Sequence, residues 1–112
     1  MRPSERVRIL VDAFNEENIE RVLDGVTTDI EVFIPLYRLN ETAGPPVLKG
    51  REELRQRLLQ RHGSNRRIEL TSISDDGTGA IASMKSSRQG QLAVAFKFDD
   101  QGLARRLIVF KQ

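Results

Sequence analysis

Residues 45–59 read PPVLKGREELRQRLL, and how this stretch is interpreted decides the fold. Pro45 and Pro46 hold the backbone extended and disfavour helix before them. Gly50 stands at a helix start, and Glu52 and Glu53 follow in the first turn, where carboxylates suit the positive end of the helix dipole. Leu54 and Leu58 recur one turn apart with Leu59 beside them, so one face is apolar, and Arg51, Arg55 and Arg57 are assigned to the other. The expected helix covers 51–61, with His62-Gly63 ending it and Gly63 as the C-terminal cap.

Upstream of this helix the pattern is helical until one strand. Ser4 is the expected cap of a first helix, with Glu5 in its first turn. Val7, Leu10, Val11 and Phe14 make one apolar stripe. Asn18 caps a second helix carrying Ile19, Val22 and Leu23, with Val26 at its margin, and Gly25 and Thr27-Thr28 close it. Residues 29–37, DIEVFIPLY, are β-branched and aromatic and read as a strand. Pro35 has no N–H, so it marks an edge, a bulge or the strand's end. Residues 38–49 read as a loop.

Downstream the chain alternates. Strands are expected at 67–74, 79–87, 91–98 and 103–110, separated by Asp75-Asp76-Gly77, Gln89-Gly90 and Asp99-Asp100-Gln101-Gly102. Leu92, Val94, Phe96 and Phe98 share one face. Helix, helix, strand, helix and an antiparallel meander make an α+β layout, with three N-terminal helices covering one face of a curved, mostly antiparallel sheet. A cone of this kind encloses a cavity open at one end.

The chain of 112 residues is expected to form a single domain, 1–112. It is 38% hydrophobic and 30% charged, which is ordinary for a globular chain and unlike a disordered one. No apolar run approaches a membrane span, and MRPSERVRIL lacks the apolar core of a secretion signal. There is no cysteine, which excludes disulfides and thiolate chemistry and fits a cytoplasmic location. The Asn40-Glu41-Thr42 sequon is read as chance. Arginines cluster at 51, 55, 57, 61, 66, 67, 105 and 106, yet net charge is only +2 and aromatics are scarce. Solvated faces explain them better than a nucleic-acid surface, so no nucleic-acid or membrane partner is expected.

Four pieces carry a family resemblance: Asn18-Ile19-Glu20, Asp29-Ile30-Glu31-Val32-Phe33-Ile34-Pro35, the run from Pro45-Pro46 to Gly50-Arg51-Glu52-Glu53-Leu54, and Phe98-Asp99-Asp100-Gln101-Gly102. In this order the chain resembles the nuclear-transport-factor-2-like superfamily over 7–110, nearest the ketosteroid isomerases and SnoaL-like polyketide cyclases. The resemblance implies a cystatin-like, ketosteroid isomerase-like roll over a deep pocket and a homodimer through the outer sheet face. In ketosteroid isomerases it also implies a carboxylate base before the strand proline, a first-helix tyrosine and a late-strand acid that stabilise an enolate. The matching positions here are Ile34, Leu10 and Val94, all aliphatic. Proton abstraction beside a carbonyl needs a base and preorganised donors, so that chemistry is not expected.

The remaining polar candidates are Tyr37, His62 and Arg106. Tyr37 is either a donor at the pocket mouth or an ordinary rim tyrosine. His62 is either a general base or a side chain meeting a helix C-terminus. Glu69 with Arg67 and Arg106 could form a charged cross-strand set or a solvated outer face. Asp75, Asp76, Asp99 and Asp100 read as turn residues. One histidine makes a metal site unexpected, and no phosphate loop, dinucleotide fingerprint or nucleophile elbow occurs, so no cofactor is expected.

The reading is a pocket for a hydrophobic small molecule lined by Leu10, Phe14, Val32, Ile34, Leu54, Leu58, Met84, Val94 and Phe96. The alternatives are an isomerase-, cyclase- or lyase-like enzyme using displaced polar residues, and a dimeric interaction module with the pocket filled.

Overall fold

The computed structural model describes residues 1–36, 47–61, 63, 67–87 and 90–111. Pro3 opens the first helix, α1 (Pro3–Asn15), at its first helical position, where the missing N–H is no loss. Ser4 is therefore not the cap. Its backbone N–H donates instead to Asp75 Oδ1 at 2.9 Å, and its hydroxyl lies 3.4 Å from Asp75 Oδ2. A carboxylate 71 residues away thus satisfies an orphan donor of the helix start, and Asp75 and Asp76, expected as turn residues, instead end the strand Ile68–Asp76, with the turn at 77–78.

Asn18 caps α2 (Ile19–Asp24) as expected, its Oδ1 accepting from Arg21 N at 3.2 Å. Val26 is not helical. It begins β1 (Val26–Leu36) and is 1% exposed. The loop expected at 38–49 contains a two-residue strand, β2 (Leu48–Lys49), paired antiparallel with Glu31 and Val32 of β1. Gly50 then turns the chain with φ 93°, a region disfavoured for side-chain-bearing residues, and its N–H donates to Ile30 O at 2.7 Å. Glu53, in the first turn of α3 (Arg51–Gln60), accepts from Lys49 N at 3.1 Å and fixes the entry. The cap at the far end is Arg61, not Gly63. Gly63 lies beyond it at φ 78° and donates its N–H to Glu17 Oε1 at 2.8 Å.

β3 (Ile68–Asp76), β4 (Gly79–Ser86), β5 (Gly90–Phe98) and β6 (Ala104–Lys111) form the expected antiparallel meander. The sheet order is β2-β1-β6-β5-β4-β3, so the last strand lies inside the sheet and pairs parallel with β1. With that one parallel pair, the sheet is mostly antiparallel, as expected. Register shifts interrupt β1 between Val26 and Glu31 and between Phe33 and Leu36, the latter spanning Pro35, which cannot donate to the ladder. Further shifts occur in β3 and between β5 and β6. Such bulges bend strands, and the sheet is curved and unclosed.

The three helices cover its concave face. α1 lies against β3 and β4, and α3 lies against β1 and β2. Ala80, Ala82 and Ala104 are at most 1% exposed, and these small side chains bring the backbone layers close. At Gly79 a Cβ would stand 2.2 Å from the Phe96 carbonyl oxygen, so only glycine fits there. Asn15, the last residue of α1, exchanges two hydrogen bonds of 2.8 Å with the Ile68 backbone and ties helix to sheet. Among the described residues no helix is long and apolar enough to cross a membrane.

Candidate functional site

Alternation sends Leu92, Val94, Phe96 and Phe98 of β5 to the concave face, where each is at most 6% exposed. Ile30 and Val32 of β1 and Met84 of β4 join them. α1 presents Leu10, Val11 and Phe14 from above, and α3 presents Leu54 and Leu58. These side chains do not close on one another. They surround a cavity of about 200 Å³, completed by Val22, Val26, Leu48, Ile68, Leu107 and Val109. A water takes up about 30 Å³ of liquid, and an apolar cavity of roughly 150 Å³ accepts benzene, so this space suits a small organic molecule.

Eight of the nine lining residues expected from sequence are around this space: Leu10, Phe14, Val32, Leu54, Leu58, Met84, Val94 and Phe96. The side chain of the ninth, Ile34, lies outside the described residues. Leu10 and Val94 both face the cavity.

The deep members, such as Val26, Val32 and Leu54, are buried, whereas Phe14, Arg57, Leu58, Arg61, Ile68, Ser86, Leu107 and Val109 are half-buried and mark the mouth. Arg57 was assigned to the solvated side of α3, and Leu59 to the apolar side. Both placements are reversed, since Arg57 lines the cavity and Leu59 is 50% exposed. Spacing alone does not separate the arginines: Arg57 and Arg61 follow Leu54 and Leu58 by three residues, and Arg51 and Arg55 precede them by three, so the two pairs flank the leucine stripe on opposite sides. Arg51 and Arg55 occupy another side. Arg51 donates to the Val26 carbonyl, and Arg55 pairs with Glu20 and Glu52. The hydrogen bond to Glu20 chiefly raises the Arg55 pKa.

The cavity lining includes no carboxylate among the described residues, and these residues hold no cluster of three metal-ligating side chains. Tyr37 and His62 lie outside the described residues. Arg106 is on the opposite face of the sheet from the cavity-lining Leu107 and Val109. There its guanidinium lies 3.3 Å from Glu31 and 5.7 Å from the centre of the Phe33 ring. The charged set suggested for Glu69, Arg67 and Arg106 does not form, because Glu69 stands opposite Lys85 on β4 and Arg106 pairs with Glu31.

No family model matches the chain, and no curated protein matches it by sequence. Solved structures do. A cystatin-fold protein from Novosphingobium aromaticivorans, described as uncharacterized, superposes with a TM-score of 0.81 at 16% identity, covering 97% of both chains. A SnoaL-like protein of unknown function from Burkholderia thailandensis gives 0.77 at 13% identity, over 96% of this chain and 92% of that one. An LEH-like epoxide hydrolase from M. tuberculosis gives 0.72 at 13% identity, over 96% and 80%. At these identities the likeness concerns backbone architecture, and with the open cone and its helices it means that the chain shares the fold of these cystatin-fold and SnoaL-like proteins.

Proposed function

We propose that the protein binds a small hydrophobic molecule in the cavity between the helices and the sheet. The observation that carries this reading is the open space of about 200 Å³ walled almost wholly by aliphatic and aromatic side chains. Burial of apolar ligand surface there is favourable at about 25 cal/mol per Å². Methyl NMR during titration with octanol tests it. Shifts centred on Leu54, Leu58, Met84 and Val94 are expected. Saturation without shifts at these methyls, or shifts only at Ile81 and Ile108 on the outer face, would contradict it.

A second reading is an isomerase-, cyclase- or lyase-like enzyme acting on a hydrophobic substrate. It is favoured by Arg57, Arg61 and Ser86 at the cavity mouth and by the fold likeness to an epoxide hydrolase. Turnover of an epoxide or polyketide-like substrate that is lost on mutation of these residues would support it. A filled-pocket interaction module loses support from the open cavity.

We also propose that the chain pairs with a second copy through the outer sheet face and works in the cytoplasm. Phe33, Ile108 and Phe110 are half-buried there, and Ile81 is 46% exposed. A monomeric mass in sedimentation equilibrium at micromolar protein would argue against the pairing.

A further inference from the structure

We propose that the ligand is a monocarboxylate with an apolar tail, its tail in the cavity and its carboxylate held at the mouth by Arg57. The inference rests on the binding role proposed for the cavity and adds the ligand's charge. α3 carries four arginines in its span and cap, divided between two sides. Those facing away are paired, Arg51 with the Val26 carbonyl and Arg55 with Glu20 and Glu52. Arg57 faces the cavity mouth, half-buried, and among the described residues no carboxylate or carbonyl bonds its guanidinium. Arg61 stands one turn further on at the same mouth.

An apolar cavity alone selects against charge, because an unpaired carboxylate loses its hydration there. A guanidinium at the rim reverses this selection for a ligand whose charge sits at one end. Its planar fork bonds a carboxylate through two parallel N–H donors, and the charge-assisted bonds are the stronger kind. The end of α3 contributes about half a negative charge of its own, which the full charge of the Arg57 guanidinium outweighs. The Ser86 hydroxyl, at the end of β4, adds a polar group to the same rim. The size of the cavity limits the tail to a short alkyl chain or a single ring.

The test compares octanoate with octanol by isothermal titration calorimetry, on the wild type and on Arg57→Gln and Arg57→Lys. The wild type is expected to bind octanoate about ten- to hundredfold more tightly than octanol, the range that charge-assisted hydrogen bonds support. Arg57→Gln is expected to erase that preference by weakening octanoate far more than octanol, and Arg57→Lys to keep part of it. Added salt should narrow the gap in the wild type and leave octanol unaffected. Equal binding of octanoate and octanol, or an unchanged preference in Arg57→Gln with native circular dichroism, overturns the carboxylate assignment and leaves the apolar pocket standing. Failure of the wild type to bind either probe overturns both.

Discussion

The two ends of the concave face differ in how they are packed. Where α1 and α2 meet the sheet, Val7 and Ile30 are 0% exposed and Leu23 2%, and Ala13 and Ala104 fill the remaining corners. Below α3, side chains of the same chemistry, among them Leu54, Leu58, Met84 and Val94, stand around an empty space. The hydrophobic effect acts equally on both sets, so the difference comes from geometry. Small alanines fill the corners at the first end, whereas at the second the side chains of the curved sheet and of α3 stop short of one another. An apolar pattern therefore does not by itself distinguish a core from a pocket.

The sharpest way to break this comparison is to truncate one leucine at each end. Leu23→Ala removes a fully packed side chain and leaves a void, and it should cost about 2–5 kcal/mol in urea unfolding. A loss below about 1 kcal/mol would mean that the α1–α2 end is as loosely packed as the other. Asn15→Ala comes next. It deletes both hydrogen bonds to the Ile68 backbone and strands that donor and acceptor, for an expected loss of about 1–3 kcal/mol. Amide exchange should quicken first at Ile68, and unchanged protection there would show that α1 is held by other contacts. Leu58→Ala is expected to have the smallest effect, about 1 kcal/mol or less, because this half-buried side chain already borders a void. Its consequence should instead be a weaker grip on octanol. A stability loss equal to that of Leu23→Ala would erase the distinction between the two ends.

Most of the fold was legible because hydrophobic period reports element type and face directly. The β5 alternation at Leu92, Val94, Phe96 and Phe98 and the α1 stripe at Val7, Leu10 and Val11 each sent their side chains inward. Pairing was less legible. The parallel contact of β1 with β6 joins residues such as Val32 and Leu107, and nothing local in either strand records its partner. A two-residue strand such as β2 exists only through the β1 backbone it bonds. The cap of α1 illustrates the same limit. A local serine was the obvious choice, but Pro3 moved the helix start and Asp75 supplied the acceptor from a distant strand. At the candidate site the apolar wall could be read from spacing, whereas the arginines could not be sorted without knowing which way α3 faces. Arg57 and Arg55 differ by two positions, and the helix rotation separates a cavity rim from a surface ion pair.

The central claim is that the space beside Val94 is a built cavity and not an unfilled core. The most direct measurement is the unfolding free energy of Val94→Phe together with its affinity for octanol. A side chain that grows into a real cavity should leave stability unchanged or raise it, and it should abolish octanol binding. Overpacking of a closed core instead costs about 1–3 kcal/mol. A loss of that size, with no octanol binding in the wild type, would contradict the account.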